Sequence, residues 1–314
     1  MTAIIIVNWN GADDTIACLR SLDNAKGDFM VVVADNGSTD DSINRIDSVI
    51  KELKIKVDLL PLGRNWGFAV GNNRGIQYSR KYNPDSYMLL NNDTEVEPDF
   101  LVKIEGYRKQ HPEIKVLGPL IRYWFDRDRI WSCGGKLVFG SRKAYYKDMN
   151  TNVLKTSVLP VTFISGCALF ADVSLLDPDG CLLTERFFFG EEDFEFAHRM
   201  RRNNVKMAIL TDSVIYHKVG SSAKRMSSRA KLGRDYLYYL GRLIVVRKYY
   251  NSFAFAVVLL LSYTRCLRHF MQDGLDIKMA IKVVNRLLCD AKTKEGFDYF
   301  DFMSIINGSI FDNT

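Results

Sequence analysis

The chain of 314 residues is 47% hydrophobic and 25% charged, with 7 prolines and a formal net charge of +6. These values indicate a folded protein with a sizeable core, and they exclude a disordered chain, a collagen and a small disulfide scaffold. The charge is unevenly distributed, because residues 199–270 hold fifteen Lys or Arg and two acids, which gives +13 there and −7 elsewhere. We therefore expect an acidic front part and a basic rear part that faces something anionic.

The cysteines and the apolar runs give further expectations. The six cysteines form no CxxC pair and no Cys/His metal spacing, which favours a reduced cytoplasmic protein with buried thiols. Residues 1–7 carry no basic leader, so we expect a strand there and no secretion signal. The longest uninterrupted apolar run, 253–261, has nine residues, whereas a membrane span needs roughly 20. We expect no span and leave open a helix that lies on a membrane.

The first hundred residues alternate short apolar runs with amphipathic stretches. Buried strands are predicted at 4–7, 29–34, 55–60 and 87–90. Helices are predicted at 13–22, 40–53, 68–82 and 98–110. This alternation is typical of an α/β fold, a mostly parallel sheet with helices on both faces, whose ligands bind beyond the carboxyl ends of the strands.

Polar residues follow each of the four predicted strands. The segments are Asn8-Trp9-Asn10-Gly11, Asp35-Asn36-Gly37-Ser38-Thr39-Asp40, Gly63-Arg64-Asn65-Trp66-Gly67 and Asn91-Asn92-Asp93-Thr94. Turn formation or helix capping explains any one of them alone. Because all four loops open at the same edge of one sheet, a polar binding site at that edge is the better interpretation.

The rest of the chain is less regular until residue 228. We expect a strand at 161–170 that Ser165-Gly166 interrupts, a helix after the Phe187–Glu195 segment, and strands at 205–210 and 214–216. From 228 the spacing predicts helices near 228–250, 253–272 and 275–291. A boundary near 220–228 would divide the chain into a catalytic domain, 1–222, and a basic, amphipathic helical extension, 223–314.

Seven motifs in chain order resemble those of family 2 glycosyltransferases, in particular the bacterial rhamnosyltransferase-like branch that builds surface polysaccharide. They are the four loops above with their flanks, Ser165-Gly166, Glu192-Asp193 and His217, and they extend over residues 3–222. The resemblance implies a GT-A fold, a nucleotide-diphospho-sugar donor, a divalent metal and inversion at the anomeric carbon. The glycines at 67, 71 and 75 lack the GxGxxG spacing of a dinucleotide-binding dehydrogenase and suit close helix packing.

The resemblance assigns nucleotide binding to the loops. Asp35 would accept a hydrogen bond from the imide N–H of uracil or thymine, a task that suits a carboxylate. Helix capping is the alternative role for Asp35, but Ser38 and Asp40 already suit it. The full predicted nucleotide set is Asn8, Asn10, Asp35, Arg64, Asn65, Asn72, Asn73, Asn91 and Asn92.

Asp93 occupies the last position of the family's DxD metal motif. The resemblance implies that it binds Mg²⁺ or Mn²⁺, hard cations that prefer oxygen ligands. One carboxylate holds such an ion poorly, so we expect help from donor phosphates and from His217, which matches the family's further ligand position. A purely structural histidine is the alternative for His217.

Asp193 is the candidate general base, with Glu192 as the alternative acid. A helix N-terminus that favours carboxylates explains the same acidic run without catalysis. Ser165, Gly166, Phe189 and Glu191 are the expected contacts to the donor or acceptor sugar. The alternative for the three phenylalanines at 187–189 is a hydrophobic plug beneath the turn.

The basic rear part has three interpretations: nucleic-acid binding, a solvated charged face, or a platform on an anionic membrane; its apolar run could equally be the seam of a homo-oligomer. We favour the platform, because basic residues flank apolar ones and no nucleic-acid motif is present. Its apolar residues would be Leu240, Leu243, Ile244, Val245, Val246, Tyr249, Tyr250 and 253–261, flanked by Arg242, Arg247, Lys248, Arg265 and Arg268.

The sequence thus predicts an inverting, metal-dependent glycosyltransferase at the cytoplasmic face of a membrane. It would transfer a sugar from a UDP- or dTDP-sugar, dTDP-rhamnose among them, to a saccharide or lipid-linked glycan. A non-catalytic nucleotide-sugar-binding or membrane scaffold protein with the same fold is the alternative. The sequence leaves the donor sugar, the acceptor and the linkage open.

Overall fold

The structure is a computed structural model that describes residues 1–219 and 227–312. Its first part alternates strands and helices as the apolar pattern predicts. In chain order these elements are β1 (Thr2–Asn8), α1 (Ala12–Leu22), β2 (Phe29–Asp35), α2 (Ser42–Ile50), β3 (Val57–Pro61), α3 (Phe68–Ser79), β4 (Ser86–Leu90), β5 (Thr94–Val96) and α4 (Phe100–Gln110). All eight predicted elements are present, and the short strand β5 is an addition.

The middle of the chain corrects two predictions. Its elements are β6 (Ile114–Tyr123), β7 (Ile130–Ser132), β8 (Gly135–Val138), β9 (Ser141–Ala144), β10 (Val158–Val161), β11 (Ala168–Asp172), α5 (Glu192–Arg202) and β12 (Lys206–His217). The strand predicted at 161–170 is two strands, β10 and β11, joined by a loop that contains Ser165-Gly166. The two strands predicted at 205–216 are the single strand β12, whose pairing register shifts between Leu210 and Val214.

One mixed sheet positions the site. Its order is β10-β12-β6-β11-β4-β1-β2-β3, with β5 paired to β12 and β7 to β6. The neighbours within β4-β1-β2-β3 are parallel, β6 and β12 are parallel, and β11 is antiparallel to both β4 and β6. The carboxyl ends of β1, β2, β3, β4, β6 and β12 therefore lie at one edge, together with the loop that enters β11.

Both faces of this sheet are buried, which explains the apolar strands. On one face Ile5, Val32 and Leu89 belong to one cluster, and on the other Ile4, Val31 and Met88 belong to a second. Helix α3 packs very closely, because a Cβ at Gly75 would lie 2.5 Å from a methyl carbon of Ile5. The prediction that this glycine serves helix packing is confirmed.

The C-terminal part is helical, as predicted, but it has more helices than predicted. It comprises α6 (Ser228–Tyr249), α7 (Ser252–Gln272), α8 (Ile277–Thr293), α9 (Tyr299–Ile306) and α10 (Ser309–Asp312). These helices enclose a third hydrophobic cluster, which also takes in Phe187 and Phe194 from the first part. The predicted boundary at 220–222 lies outside the described residues.

The apolar face expected to meet a membrane is mostly internal. Five of its members are buried in the third cluster, so α6 cannot present them to lipid; these are Leu240, Leu243, Ile244, Val245 and Val246. Helix α7 differs, because Phe253, Leu260 and Leu261 are exposed. The platform prediction is therefore corrected to α7 alone.

Helix α7 also bears on the expectation of no membrane span. By length and composition it could cross a membrane, and 17% of its most apolar window is buried inside the protein. The sequence count missed this because Ser262, Tyr263 and Thr264 interrupt the apolar run without adding charge. One such helix is weak evidence for a span, but length no longer excludes it.

The cysteines lie mostly in the interior and form no disulfide. All six are free; Cys18, Cys133, Cys167 and Cys266 are buried, while Cys289 is exposed. Burial raises the pKa of the thiols of Cys18, Cys133 and Cys266 to about 12, so these thiols stay protonated at neutral pH.

Candidate functional site

The edge loops meet as predicted, but the Asp35 side chain is turned inward. Asp35 is 0% exposed, and its carboxylate accepts hydrogen bonds from Asn8 Nδ2 at 2.7 Å, Ser38 N at 2.9 Å and Ser38 Oγ at 2.7 Å. Asn8 Oδ1 in turn accepts a bond from Thr15 Oγ1 at 2.7 Å. Contact of Asp35 and Asn8 with the nucleotide stays a prediction; in this structure their polar atoms build the turn. Ser38 serves this turn, and the residue before α2 is Asp41.

Other residues of the same loops do face outward. Asn10 and Arg64 are exposed, and the Arg64 guanidinium lies 3.5 Å from the centre of the Trp66 ring. Trp9 and Trp66 are exposed large apolar side chains at this edge. Asn65 points inward instead, since its Oδ1 accepts bonds from Asn36 Nδ2 at 3.0 Å and Gly67 N at 2.9 Å.

The sequence reasoning did not single out the two exposed tryptophans as candidate site residues. The available signal was their position, because each stands beside Asn in a loop that directly follows a strand.

The two asparagines of α3 are structural. Asn73 is fully buried; its amide donates to Leu183 O at 2.9 Å and to Glu185 Oε1 at 3.0 Å, and its oxygen accepts from the amides of Leu182 and Leu183. Asn72 is buried and donates to Phe68 O at 2.9 Å, within its own helix. Their contact with the nucleotide stays a prediction. In this structure Asn73 holds the loop that leads to the acidic turn, Gly190 to Asp193.

Asp93 and His217 meet, because β5 pairs with the end of β12. His217 Nε2 lies 3.0 Å from Asp93 Oδ1, and the buried imidazole contacts Trp131 edge-on at 4.3 Å between ring centres. Burial lowers the pKa of His217, but Cys167 and Asp93 outweigh this effect and raise it to about 10. Asn92 is turned away, and its amide donates to Thr15 Oγ1 at 3.1 Å.

The donor atoms at this point fit a divalent cation. Within the described part of the chain, Asn91 Oδ1 and His217 Nδ1 are buried without a hydrogen-bond partner, and Asp93 Oδ1 faces His217 Nε2 at 3.0 Å. Unpartnered buried polar atoms are costly, and bound ions are one way in which proteins satisfy them. A carboxylate, an amide oxygen and an imidazole are ligands that Mn²⁺ accepts, and the oxygens suit Mg²⁺.

The loop that enters β11 links this pair to the acidic turn. Cys167 O accepts a hydrogen bond from Asn91 N at 2.8 Å, and Gly166 N donates to Asp193 Oδ2 at 3.4 Å. Ser165 Oγ accepts from Cys167 N at 3.3 Å and shapes the same loop. One short loop therefore contacts Asp193 through Gly166 and Asn91 through Cys167, and Asn91 precedes Asp93 by two residues.

Glu191 is the central anion of a buried ion cluster. Its side chain is 1% exposed; Arg142 Nη1 lies 3.0 Å from Oε1, and Arg242 reaches both oxygens at 3.2 Å. Its backbone is left-handed, with a φ of +67°. The expected sugar contact of Glu191 stays a prediction; in this structure both of its carboxylate oxygens face arginines. Arg142 Nη1 also lies 3.6 Å from Asp193 Oδ1, so the cluster extends to the candidate base.

The structure separates the two candidate bases. Glu192 is buried, its Oε2 has no partner among the described residues, and burial with the neighbouring Asp193 and Glu191 raises its pKa to about 8. Glu192 therefore carries a proton at neutral pH and is a poor proton acceptor there. The Asp193 side chain is 19% exposed, which leaves it the more accessible of the two acids.

The phenylalanine segment fits both of its interpretations, in different residues. Phe187 is buried against Phe297 and acts as the plug, while Phe189 is 52% exposed. The same segment restricts the residue type at position 67. Gly67 has a φ of +86°, and a Cβ added there would lie 2.0 Å from Phe188 O. Only glycine fits there, at the start of α3.

The C-terminal part supports this turn from behind. Phe188 N donates to Phe297 O and Phe297 N donates to Arg186 O, both at 2.9 Å.

The cations expected to flank a membrane face are partly internal as well. Arg242 binds Glu191, Arg247 binds Glu295, and Lys248 Nζ lies 2.7 Å from Glu195 Oε1.

Comparisons with known proteins identify the family of this chain. The family model described as glycosyl transferase family 2 matches residues 3–171, more than half of the chain. The dTDP-rhamnosyl transferase RfbF of Shigella flexneri is 25% identical over 174 residues, which is 54% of this chain and 55% of that protein. The low-salt glycan biosynthesis hexosyltransferase Agl10 of Haloferax volcanii is 28% identical over 216 residues, 65% of this chain and 63% of that protein. The chain thus matches less than two thirds of the length of each of these relatives.

Solved structures show the same fold at low identity. The Pyrobaculum calidifontis mannosyltransferase PcManGT, in complex with GDP-Man and Mn²⁺, has a TM-score of 0.58 at 12% identity, with 100% of this chain and 88% of that chain covered. TarS 1–349 of S. aureus has a TM-score of 0.55 at 14% identity, with 98% and 90% covered. GalNAc-T7 with UDP, GalNAc and Mn²⁺ reaches 0.60 at 14% identity, with 99% and 57% covered. The chain therefore has the expected GT-A fold and belongs to glycosyltransferase family 2.

Proposed function

We propose that this protein is an inverting, metal-dependent glycosyltransferase that uses a UDP- or dTDP-sugar. The observation that carries the proposal is that one loop, residues 165–167, contacts both parts of the site. Gly166 N donates to Asp193, and Cys167 O accepts from Asn91, two residues before the Asp93 that pairs with His217. A proton acceptor and a site for a charged diphosphate are thereby brought to one edge of the sheet. The family membership and the dTDP-rhamnosyl transferase relative support the reaction class.

In the proposed reaction Asp193 accepts the proton of the acceptor hydroxyl. The acceptor oxygen forms its bond to the anomeric carbon while the bond from that carbon to the diphosphate oxygen breaks, and the electron pair leaves with the nucleoside diphosphate. A general base of this kind contributes about 10²- to 10⁴-fold to the rate. Arg142 holds Asp193 in place at 3.6 Å. A divalent ion held by Asp93 and His217, with Asn91 nearby, would supply positive charge for the leaving diphosphate.

Exposed side chains at this edge are candidate partners of the nucleotide base, in addition to the predicted Asp35. Asp35 is enclosed, whereas Trp9, Trp66 and the Arg64 guanidinium are exposed beside the ends of β1 and β3. Base stacking on aromatic and guanidinium faces is worth about 1–3 kcal/mol per base. We therefore propose that these faces, with Asn10, receive the nucleoside.

The acceptor is proposed to be a saccharide or a lipid-linked glycan at the cytoplasmic face of a membrane. The exposed Phe253, Leu260 and Leu261 of α7 would contact lipid, and Arg265 and Arg268 on the same helix would face anionic headgroups. Co-sedimentation with phosphatidylglycerol vesicles should fall as salt rises and should be lost in Leu260→Glu/Leu261→Glu. A concentration-dependent dimer that the same variant dissociates would assign α7 to a homo-oligomer seam instead.

Two variants separate an enzyme from a non-catalytic nucleotide-sugar-binding or scaffold protein. Asp193→Asn should lower transfer at least 10²-fold and leave donor affinity within about twofold, because the amide keeps the size but cannot accept the proton. Asp47→Asn, an exposed acid on α2, is the matched control. Unchanged transfer in Asp193→Asn would reject Asp193 as the base.

Metal dependence is tested at Asp93. Asp93→Ala should remove the Mn²⁺-dependent part of donor binding, measured by calorimetry with UDP- and dTDP-sugars with and without Mn²⁺. If Mn²⁺ still strengthens donor binding in this variant, Asp93 is not the metal ligand.

We also propose that residues 1–222 hold the donor site and that 223–314 form the supporting helical extension.

A further inference from the structure

A cavity of about 370 Å³ lies where the acidic turn meets the C-terminal helices. This volume falls within the range of small-molecule sites. Its wall combines three aromatic rings, two charged side chains and a glycine: Phe189, Tyr238, Phe302, Arg234, Asp235 and Gly190. Neither the family match, which ends at residue 171, nor the sequence motifs include the helical residues of this wall.

The cavity adjoins the turn that precedes the candidate base. Gly190, in its wall, precedes Asp193 by three residues and has a φ of +92°. No heavy atom beyond its chain neighbours lies within 4 Å of the position that a Cβ would take at Gly190, so the turn is open at this point. A molecule in the cavity therefore lies against the turn that carries Asp193.

Helix α6 fixes the opposite wall relative to the turn. Arg234, Tyr238 and Arg242 follow at intervals of four residues and so share one face of the helix. At one end of this face Arg242 binds Glu191 of the turn at 3.2 Å, and its guanidinium lies 4.4 Å from the centre of the Tyr238 ring. The buried ion cluster thus holds the cavity wall and the acidic turn in one arrangement.

The composition of the wall suits a saccharide. Phe189 and Tyr238 are 52% and 37% exposed, and the Phe189 and Phe302 rings meet edge-on at 6.4 Å. Aromatic rings pack against the C–H face of a sugar ring, and a carboxylate with a guanidinium can bind its hydroxyls.

We propose that this cavity binds the saccharide end of the acceptor, next to the sugar whose hydroxyl reacts. The inference rests on the proposed function, because it takes Asp193 to be the base. It assigns the C-terminal helices a direct part in acceptor recognition, with Tyr238 as a stacking residue. Asp235 also contacts His269 Nε2 at 3.1 Å, which orients its carboxylate.

The test compares Tyr238→Ala with Tyr146→Ala. Both tyrosines are 37% exposed, and Tyr146 lies outside the cavity. Acceptor KM, donor KM and donor hydrolysis are measured with UDP-glucose and dTDP-rhamnose as donors and a panel of p-nitrophenyl glycosides of hexoses and 6-deoxyhexoses as acceptors. Tyr238→Ala should raise acceptor KM about tenfold and leave donor KM and hydrolysis unchanged. Tyr238→Phe, which keeps the ring, should remain within about twofold of wild type.

The outcomes distinguish this inference from the proposed function. An acceptor KM in Tyr238→Ala that equals that of Tyr146→Ala would overturn it, and so would an equal rise in donor KM. If wild type neither hydrolyses nor transfers any donor, the proposed function fails, and saturation-transfer NMR with the same glycosides then tests the cavity alone. Binding by wild type that Tyr238→Ala loses would support the cavity, and no binding by wild type would overturn it.

Discussion

The buried cluster of Arg142, Glu191 and Arg242 gives the sharpest stability prediction. Glu191→Gln removes the carboxylate that pairs with Arg242. The other described contacts of this guanidinium are uncharged: the hydroxyl of Ser141 at 3.3 Å and the rings of Phe194 and Tyr238. The Arg242 side chain is 10% exposed, so water cannot replace the lost carboxylate. Arg142 is less affected, because it keeps Asp193 and is 24% exposed.

The expected cost follows from these differences in exposure. Removing one partner of a buried ion pair costs about 3–5 kcal/mol, because the remaining charge is left uncompensated. The Gln oxygen still accepts one hydrogen bond and Arg142 retains a partner, so we expect the lower limit, about 3 kcal/mol. For a chain of this length, unfolding entropy converts this into a fall in Tm of about 4–5 °C.

Thermal unfolding followed by circular dichroism checks this value. Asp47→Asn is the matched control, because it neutralises an acid in the exposed pair with Lys51 and should change stability by less than about 0.5 kcal/mol. Adding Arg242→Met to Glu191→Gln should recover most of the loss, since the uncompensated charge is then gone. A Tm of Glu191→Gln equal to that of Asp47→Asn would refute the reasoning that this cluster stabilises the turn.

Two further predictions concern the same turn and its neighbour α3. Burial with Asp193 and Glu191 raises the pKa of Glu192 to about 8 from an ordinary value of 4.5. Between these pH values the unfolded chain loses this proton while the folded chain keeps it. The contribution of Glu192 to stability therefore falls as pH rises. Glu192→Gln should therefore gain stability relative to wild type between pH 5 and pH 8 in urea unfolding, and a constant difference across that range would contradict the assignment. Gly67→Ala should lose at least about 2 kcal/mol, because alanine is strained at a φ of +86° and its Cβ would meet Phe188 O. Gly106→Ala in α4, where a Cβ meets nothing within 4 Å, should instead gain up to about 1 kcal/mol in the same unfolding assay, and equal losses in the two variants would disprove the role of Gly67.

The sequence predicted the front of the fold well because periodicity is a local signal. Strands buried on both faces read as continuous apolar runs, and the parallel arrangement then places their carboxyl ends at one edge. The position of Asn91-Asn92-Asp93 after β4 followed from this rule, whereas the roles of Asp93, His217 and Asp193 came from the family resemblance. Short elements such as β5 and α10 were missed, because three or four residues are too few for a periodic signal.

Residue roles were harder to predict, because the same side chains serve turns and ligands. Asp35 is bound by Asn8, 27 residues away; Asn73 is bound to a loop 109 to 112 residues away; and Glu191 is bound by arginines 49 and 51 residues away. No local pattern signals such partners. In each case the folded chain satisfies a buried polar group from within, which sequence alone cannot distinguish from a group left open for a ligand.

The uneven charge has a physical consequence within the molecule. Three consecutive carboxylic acids, at 191–193, would repel one another if all were ionised and close together. The fold avoids this by holding a proton on Glu192 and by bringing Arg242 of α6 to Glu191, while Lys248 of the same helix binds Glu195. Part of the +13 of residues 199–270 is therefore the counter-charge of the acidic turn rather than a surface for an external anion. The C-terminal helices and the candidate base thus depend on each other electrostatically, so removing the charge of Arg242 should affect the reaction through the turn.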